Sequence, residues 1–119
     1  MIAIVSSFSE RTLLRLRDVV DNADRVAHYI DGMSFADFAA DRMRVDAVER
    51  CIERLAEALV QIGAYELATI APTISLAEVK SIGNRLRHEY RHIDKRVIFD
   101  TARDDLPALR TSCAAALER

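Results

Sequence analysis

Glycine and proline are scarce in this chain, three and two respectively among 119 residues. With Ala, Leu, Arg, Glu and Asp abundant, that scarcity favours helix over sheet. No stretch alternates apolar and polar residues with a period of two, and no segment is repeated or low in complexity. Only two cysteines occur, Cys51 and Cys113, with no motif spacing and no Cys or His close in sequence. This excludes a disulfide framework or a thiolate zinc site and describes two small buried hydrophobes in a reducing compartment. No apolar run approaches the ~20 residues needed to span a bilayer. The opening Met1-Ile2-Ala3-Ile4-Val5 is too short for the apolar core of a signal peptide and has no basic residues before it. The expected setting is cytoplasmic and soluble, with no membrane partner.

What is present is a chain half apolar, 119 residues long, which fits one helical domain over 1–119 with 1–8 as an N-terminal extension. Folding at this length buries roughly two-thirds of the unfolded surface, enough for a core without staples. Ser9 can cap a first long helix whose stripe is Leu13, Leu16, Val20, Ala23, Ala27 and Ile30, closed by Gly32. Ser34 and Asp37 have the form of a capping box for a short turn carrying Phe35 and Phe38. A second long helix, from about Met43 to Ile62, has the stripe Val45, Val48, Ile52, Leu55, Leu59 and Ile62 and stops at Gly63. Residues 64–74, including Pro72, read as a connector. Ser75 and Glu78 open a third helix, and a fourth begins near Asp94, carrying Val97, Ile98, Ala102, Leu106, Leu109, Cys113 and Leu117. Pro107 should kink or split that last helix. The expected fold is all-α, an up-and-down bundle of four to five helices. Fold class alone assigns no function.

Charge is distributed unevenly. Between Lys80 and Arg96 stand six Lys/Arg against two acids, a local +4 on a chain whose formal net charge is −2. The acidic total argues against general coating of nucleic acid, while the basic segment fits a local site for phosphate or RNA. At ~100° per residue, Leu76, Val79, Ile82, Gly83 and Leu86 share one side of the third helix. Ser81, Asn84, Arg85 and His88 share the other. His88 therefore points away from the core, toward water or a second subunit, which makes a homodimer with a polar cleft at its interface attractive. Tyr90 joins His88 in one cleft only if the helix closes near this point. His28 lies beside the first stripe and reads as structural.

The chemistry these residues offer is metal-free cleavage of RNA, whose 2′-OH is a built-in nucleophile. Histidine as a residue type titrates near 6.5 and can accept or donate a proton at neutral pH. His88 fits that role, with Asn84 on the same face able to orient it. Arg85, Arg87 or Arg91 can supply a guanidinium to phosphate oxygens, and Arg91 and His92 can extend a track along the RNA backbone. His88 and His92 stand four apart, but no carboxylate or thiol completes a metal set. No metal or cofactor is expected.

Several segments together resemble the HepT-like proteins of the HEPN superfamily, the small helical toxins of HepT/MNT toxin–antitoxin pairs (type VII). They are Arg15-Leu16-Arg17-Asp18, Gly32-Met33-Ser34-Phe35-Ala36-Asp37-Phe38, Asp46-Ala47-Val48-Glu49-Arg50, Glu57-Ala58, Asn84-Arg85-Leu86-Arg87-His88-Glu89-Tyr90 and Asp105-Leu106-Pro107-Ala108-Leu109. The resemblance covers about residues 11–118. It implies a HEPN-like homodimeric bundle with a composite ribonuclease cleft acting on RNA, tRNA among the candidates. The family motif is Arg, four residues, His, one residue, Tyr. Its histidine falls on His88 and its tyrosine on Tyr90, the residue that an MNT-type nucleotidyltransferase antitoxin would modify to silence the toxin. Its arginine falls on Gly83, and losing such a donor typically costs ~10²–10³-fold in rate.

The residues and the resemblance thus name His88, Arg85 and Asn84 as catalytic, Tyr90 as the modification target, and Arg87, Arg91 and His92 as RNA-binding. The competing expectation, motivated by Gly83, is an inactive helical subunit that docks a nucleotidyltransferase or a nucleotide. A purely structural dimer module is the third.

Overall fold

The computed structural model describes residues 8–88 and 93–119, and every regular element among them is helical. In order these are α1 (Glu10–Ile30), α2 (Phe35–Ala40), α3 (Arg42–Ile62), α4 (Ala64–Ile70), α5 (Leu76–His88), α6 (Lys95–Asp100), a π-turn (Thr101–Asp105) and α7 (Leu106–Leu117). The expected helical bundle is what the chain forms.

α1 begins where Ser9 accepts the Thr12 N–H through its hydroxyl at 3.1 Å. Its buried face is Thr12, Leu16, Val19, Asn22, Ala23 and Val26. That face is turned by about one residue from the expected stripe. Leu13, Val20 and Ile30 pack only at its edge, and Ala27 is exposed. Val19 and Val26 have more apolar surface to hide than Ala27, and they set the rotation.

α2 has the complete capping box, with Ser34 accepting the Asp37 N–H at 3.1 Å and Asp37 accepting the Ser34 N–H at 3.4 Å. It seats Phe38 at 0 % exposure, 5.3 Å from the Phe99 ring of α6, while Phe35 meets the same ring edge-on at 5.8 Å. Asp41 then caps α3, and its hydrogen bonds from the Arg44 N–H and guanidinium hold its carboxyl below the usual range.

α3 is the spine, and all six residues of its expected stripe are buried. Gly63 stops it at φ 90° and ψ 162°, a region open essentially to glycine alone. The chain then turns straight into α4, where a connector was expected. Leu67 and Ile70, three residues apart, fold that single helical stretch onto the core.

α5 opens with Ser75 accepting the Glu78 N–H at 3.3 Å, and it rests mainly on α3. Beyond the site, Asp94 caps α6, and Ile98 and Phe99 are buried. Pro107 does divide the last helix. It has no N–H to give the carbonyl four residues back, and just before it the Leu106 N–H reaches Thr101 O in a π-type bond. Beyond the division α7 buries Leu106, Leu109, Cys113 and Ala116.

The bundle is long, with extents of 57 × 28 × 21 Å and a radius of gyration of 15.0 Å, against about 13 Å for a compact chain of this size. No described helix is long and apolar enough to cross a membrane.

Both cysteines are free and buried. Burial pushes the Cys113 thiol up to about 11 from an ordinary 9.0. In the unfolded chain the thiol ionises from about pH 9, while in the fold it stays protonated. The stabilisation it represents is therefore present below pH 9 and lost as pH rises toward 11. Denaturant titrations from pH 8 to 11 are expected to show Cys113→Ala losing less stability than the parent, by on the order of 2 kcal/mol. Parallel pH profiles would refute this.

Candidate functional site

α5 has the facing that its sequence predicts. Gly83 and Leu86 are buried against the bundle, with Leu76, Val79 and Ile82 packed along the same side. Asn84, Arg85, Arg87 and His88 are exposed. His88 is the final residue of α5, and its side chain has no hydrogen-bond partner among the described residues. Arg85 is likewise unpaired. Tyr90, Arg91 and His92 lie outside the described residues.

Asn84 is engaged with Arg87 and not with His88. The Arg87 Nη2 donates to Asn84 Oδ1 at 2.7 Å, and the same guanidinium approaches Glu57 of α3 at 3.7 Å through Nη1. Gly83 explains how Arg87 fits there. A Cβ at Gly83 would stand 3.4 Å from the Ala56 Cβ and 3.7 and 3.8 Å from the two terminal nitrogens of Arg87. Alanine would be tolerated, but any longer side chain at 83 competes for the space the guanidinium now uses. The position where the family motif has an arginine is thus overlain by a guanidinium that starts one turn later.

Two hollows flank this guanidinium. A cleft of about 470 Å³ between α1 and α3 is lined by Arg15, Arg50, Arg54 and Arg87 together with Asp18, Glu53 and Glu57. Arg15–Asp18 and Arg50–Glu53 pair along their own helices at 3.2 Å, and Arg54 makes no ion pair among the described residues. Within the cleft wall Asn22 donates to the Asp18 carbonyl at 2.8 Å, while its Oδ1 and the Arg15 Nε are buried without partners. A smaller hollow of about 160 Å³ lies between α3 and α5, with Lys80, Asn84, Arg87 and Glu57 at its rim. The contributions of α1 and α3 were missed from sequence. Their only signal was charge at three- and four-residue spacing off the apolar stripes, which usually marks a solvated face. No group of three or more metal-ligating side chains gathers among the described residues.

Similarity to known proteins points the same way. The family profile described as ribonuclease HepT-like matches residues 19–116. Among curated relatives, the "Probable ribonuclease HepT" of Thermococcus cleftensis is 27 % identical over 95 residues, 80 % of this chain and 86 % of that protein. The "Putative RNase MJ1216" of Methanocaldococcus jannaschii is 24 % identical over 95 residues, 80 % and 78 % of the two chains. The "Putative RNase TTE0752" of Caldanaerobacter subterraneus subsp. tengcongensis is 23 % identical over 104 residues, 87 % and 92 %. No solved structure matches. With that profile spanning most of an all-helical chain, this protein belongs to the HepT-like ribonuclease family.

Proposed function

We propose that the protein is a metal-independent ribonuclease toxin of a type VII toxin–antitoxin pair, acting in the cytoplasm as a homodimer whose two α5 helices line one RNA cleft. The whole chain serves as one domain. The observation that carries this reading is the exposed His88 at the end of α5, with Asn84, Arg85 and Arg87 exposed in the turn before it, in a chain of a ribonuclease family. His88 takes the proton of the 2′-OH as its oxygen bonds to phosphorus. The bond from phosphorus to the 5′-oxygen breaks, and that oxygen takes a proton from water. Arg85 stabilises the charge that builds on the phosphoryl oxygens, and Arg87 binds the RNA backbone. Asn84 orders the cationic side of the site. Arg91 and His92 continue the backbone track, and tRNA is a substrate to test first.

Tyr90, two residues after His88, is the target of an MNT-type nucleotidyltransferase antitoxin. Its phenolic oxygen gives up its proton to water and bonds to the α-phosphorus of ATP, as the bond from that phosphorus to the departing pyrophosphate breaks. The added anionic nucleotide would bar an RNA phosphate by bulk and like charge.

Purified protein should cut RNA in the presence of EDTA and leave an oligonucleotide with 2′-O-methyl groups intact. Uncut RNA, with the antitoxin partner absent and Tyr90 unmodified, would refute the nuclease. The second reading, a non-catalytic subunit that docks a nucleotidyltransferase or nucleotide, is favoured by Gly83 and would then stand.

A further inference from the structure

We infer that the hollow between α3 and α5 is a subsite for a single phosphate of the RNA backbone, gripped by Arg87 and Lys80, with the Glu57 carboxylate standing in for that phosphate until RNA displaces it. This rests on RNA as the ligand of the α5 face, and it adds a second anchoring point beside the cleavage centre.

Three observations converge on it. First, the Arg87 guanidinium is held in place before any ligand arrives, by Asn84 Oδ1 at 2.7 Å and by the room that a glycine at 83 leaves open. A pre-set guanidinium loses less side-chain freedom on binding than a free one and matches phosphate oxygens with two parallel donors. Second, the carboxylate facing it is a poor permanent partner. Glu57 stands 3.7 Å away, longer than a charge-assisted hydrogen bond, and its side chain is half exposed at 50 %. Glu57 also accepts from Gln61 Nε2 at 3.0 Å, so it has an alternative partner one turn along α3 when it leaves. Third, Lys80 lines the same hollow of about 160 Å³ and makes no ion pair among the described residues. Lys80 stands one helical turn before Asn84 on α5. The floor, Ala56, Val60, Val79 and Gly83, is apolar, which strengthens the pull of the two cations on an anion seated there.

The test measures binding of a single-stranded RNA with 2′-O-methyl groups, which cannot be cut through its 2′-oxygen, over a range of salt. Arg87→Gln and Lys80→Gln are each expected to weaken binding by roughly three- to tenfold and to lower the slope of log affinity against log salt by about 0.7–1. Glu57→Gln is expected to tighten binding by roughly two- to fivefold. Arg42→Gln serves as the charge-matched control, about 20 Å along α3 from the hollow at 1.5 Å rise per residue. The inference is overturned if Arg87→Gln and Lys80→Gln change affinity and slope no more than the control does, or if Glu57→Gln weakens binding. Melting curves identify any variant that has lost its fold, and the Lys80 variant, on an exposed position, carries the test if the Arg87 one has. Inorganic phosphate and AMP are titrated as competitors; displacement of the RNA by either at equal phosphate concentration assigns the hollow to a free phosphate and overturns the backbone assignment. Cleavage of unmodified RNA is followed in parallel. Binding that shows these dependences without cleavage removes the nuclease and leaves the subsite, while cleavage with an unchanged KM in both variants removes the subsite and leaves the nuclease.

Discussion

RNA cleavage by a His88→Ala variant is expected to fall by about 10²–10⁴-fold, the usual contribution of a positioned general base. The loss should appear in kcat, with KM little changed, because the imidazole acts on the proton being moved and not on the phosphate held in place. Stability should hold to within about 0.5 kcal/mol, since His88 is exposed and supports no hydrogen bond within the described fold. His88→Gln, similar in reach but unable to take a proton near neutral pH, should be as slow as the alanine variant. Single-turnover cleavage assays with melting curves on both variants decide it. Cleavage at the parental rate would move the base to another group and leave the α5 face as a binding surface.

Phe38→Ala is expected to cost about 3–5 kcal/mol, a large share of the 5–15 kcal/mol that holds a domain of this size together. Phe38 is fully buried in a helix of six residues, far below the length that is stable by itself. Its ring is the tie between α2 and Phe99 of α6, and Arg96 lies over the neighbouring Phe35 ring at 4.7 Å. Truncation leaves a void bounded by two short helices, and α6 should loosen with α2. Phe35→Ala removes a ring that is only half-buried and is expected to cost less than half as much. Urea titrations would show a lowered midpoint with an unchanged slope. A shift under 1 kcal/mol for Phe38→Ala would mean that the aromatic cluster contributes little to holding α2 and α6 on the bundle.

Sequence periodicity read α3 in full because each stripe residue there is large and apolar, and nothing competes with it. In α1 the same periodicity was off by about one residue, since alanines and a buried Asn22 blur which side carries most of the apolar surface. α4 was invisible for a plainer reason: in seven residues only Leu67 and Ile70 turn to the core, and two positions three apart are too few to distinguish a helix from a connector. The division at Pro107 could be foreseen, but its π form depends on how the surrounding core holds both halves. At the site, the facing of α5 was legible from 100° arithmetic, so Gly83 and Leu86 turn inward and His88 outward. The partner of Arg87 was not. Glu57 is thirty residues away in sequence, and only the packing of α5 on α3 brings them together.

The long outline of the bundle, 57 Å by 28 Å by 21 Å, bears on how its assembly state must be measured. A rod drags more solvent than a sphere of equal mass, so a single copy would elute early from a sizing column and pass for something heavier. Light scattering or sedimentation equilibrium, which weigh particles without regard to outline, would separate one copy from two.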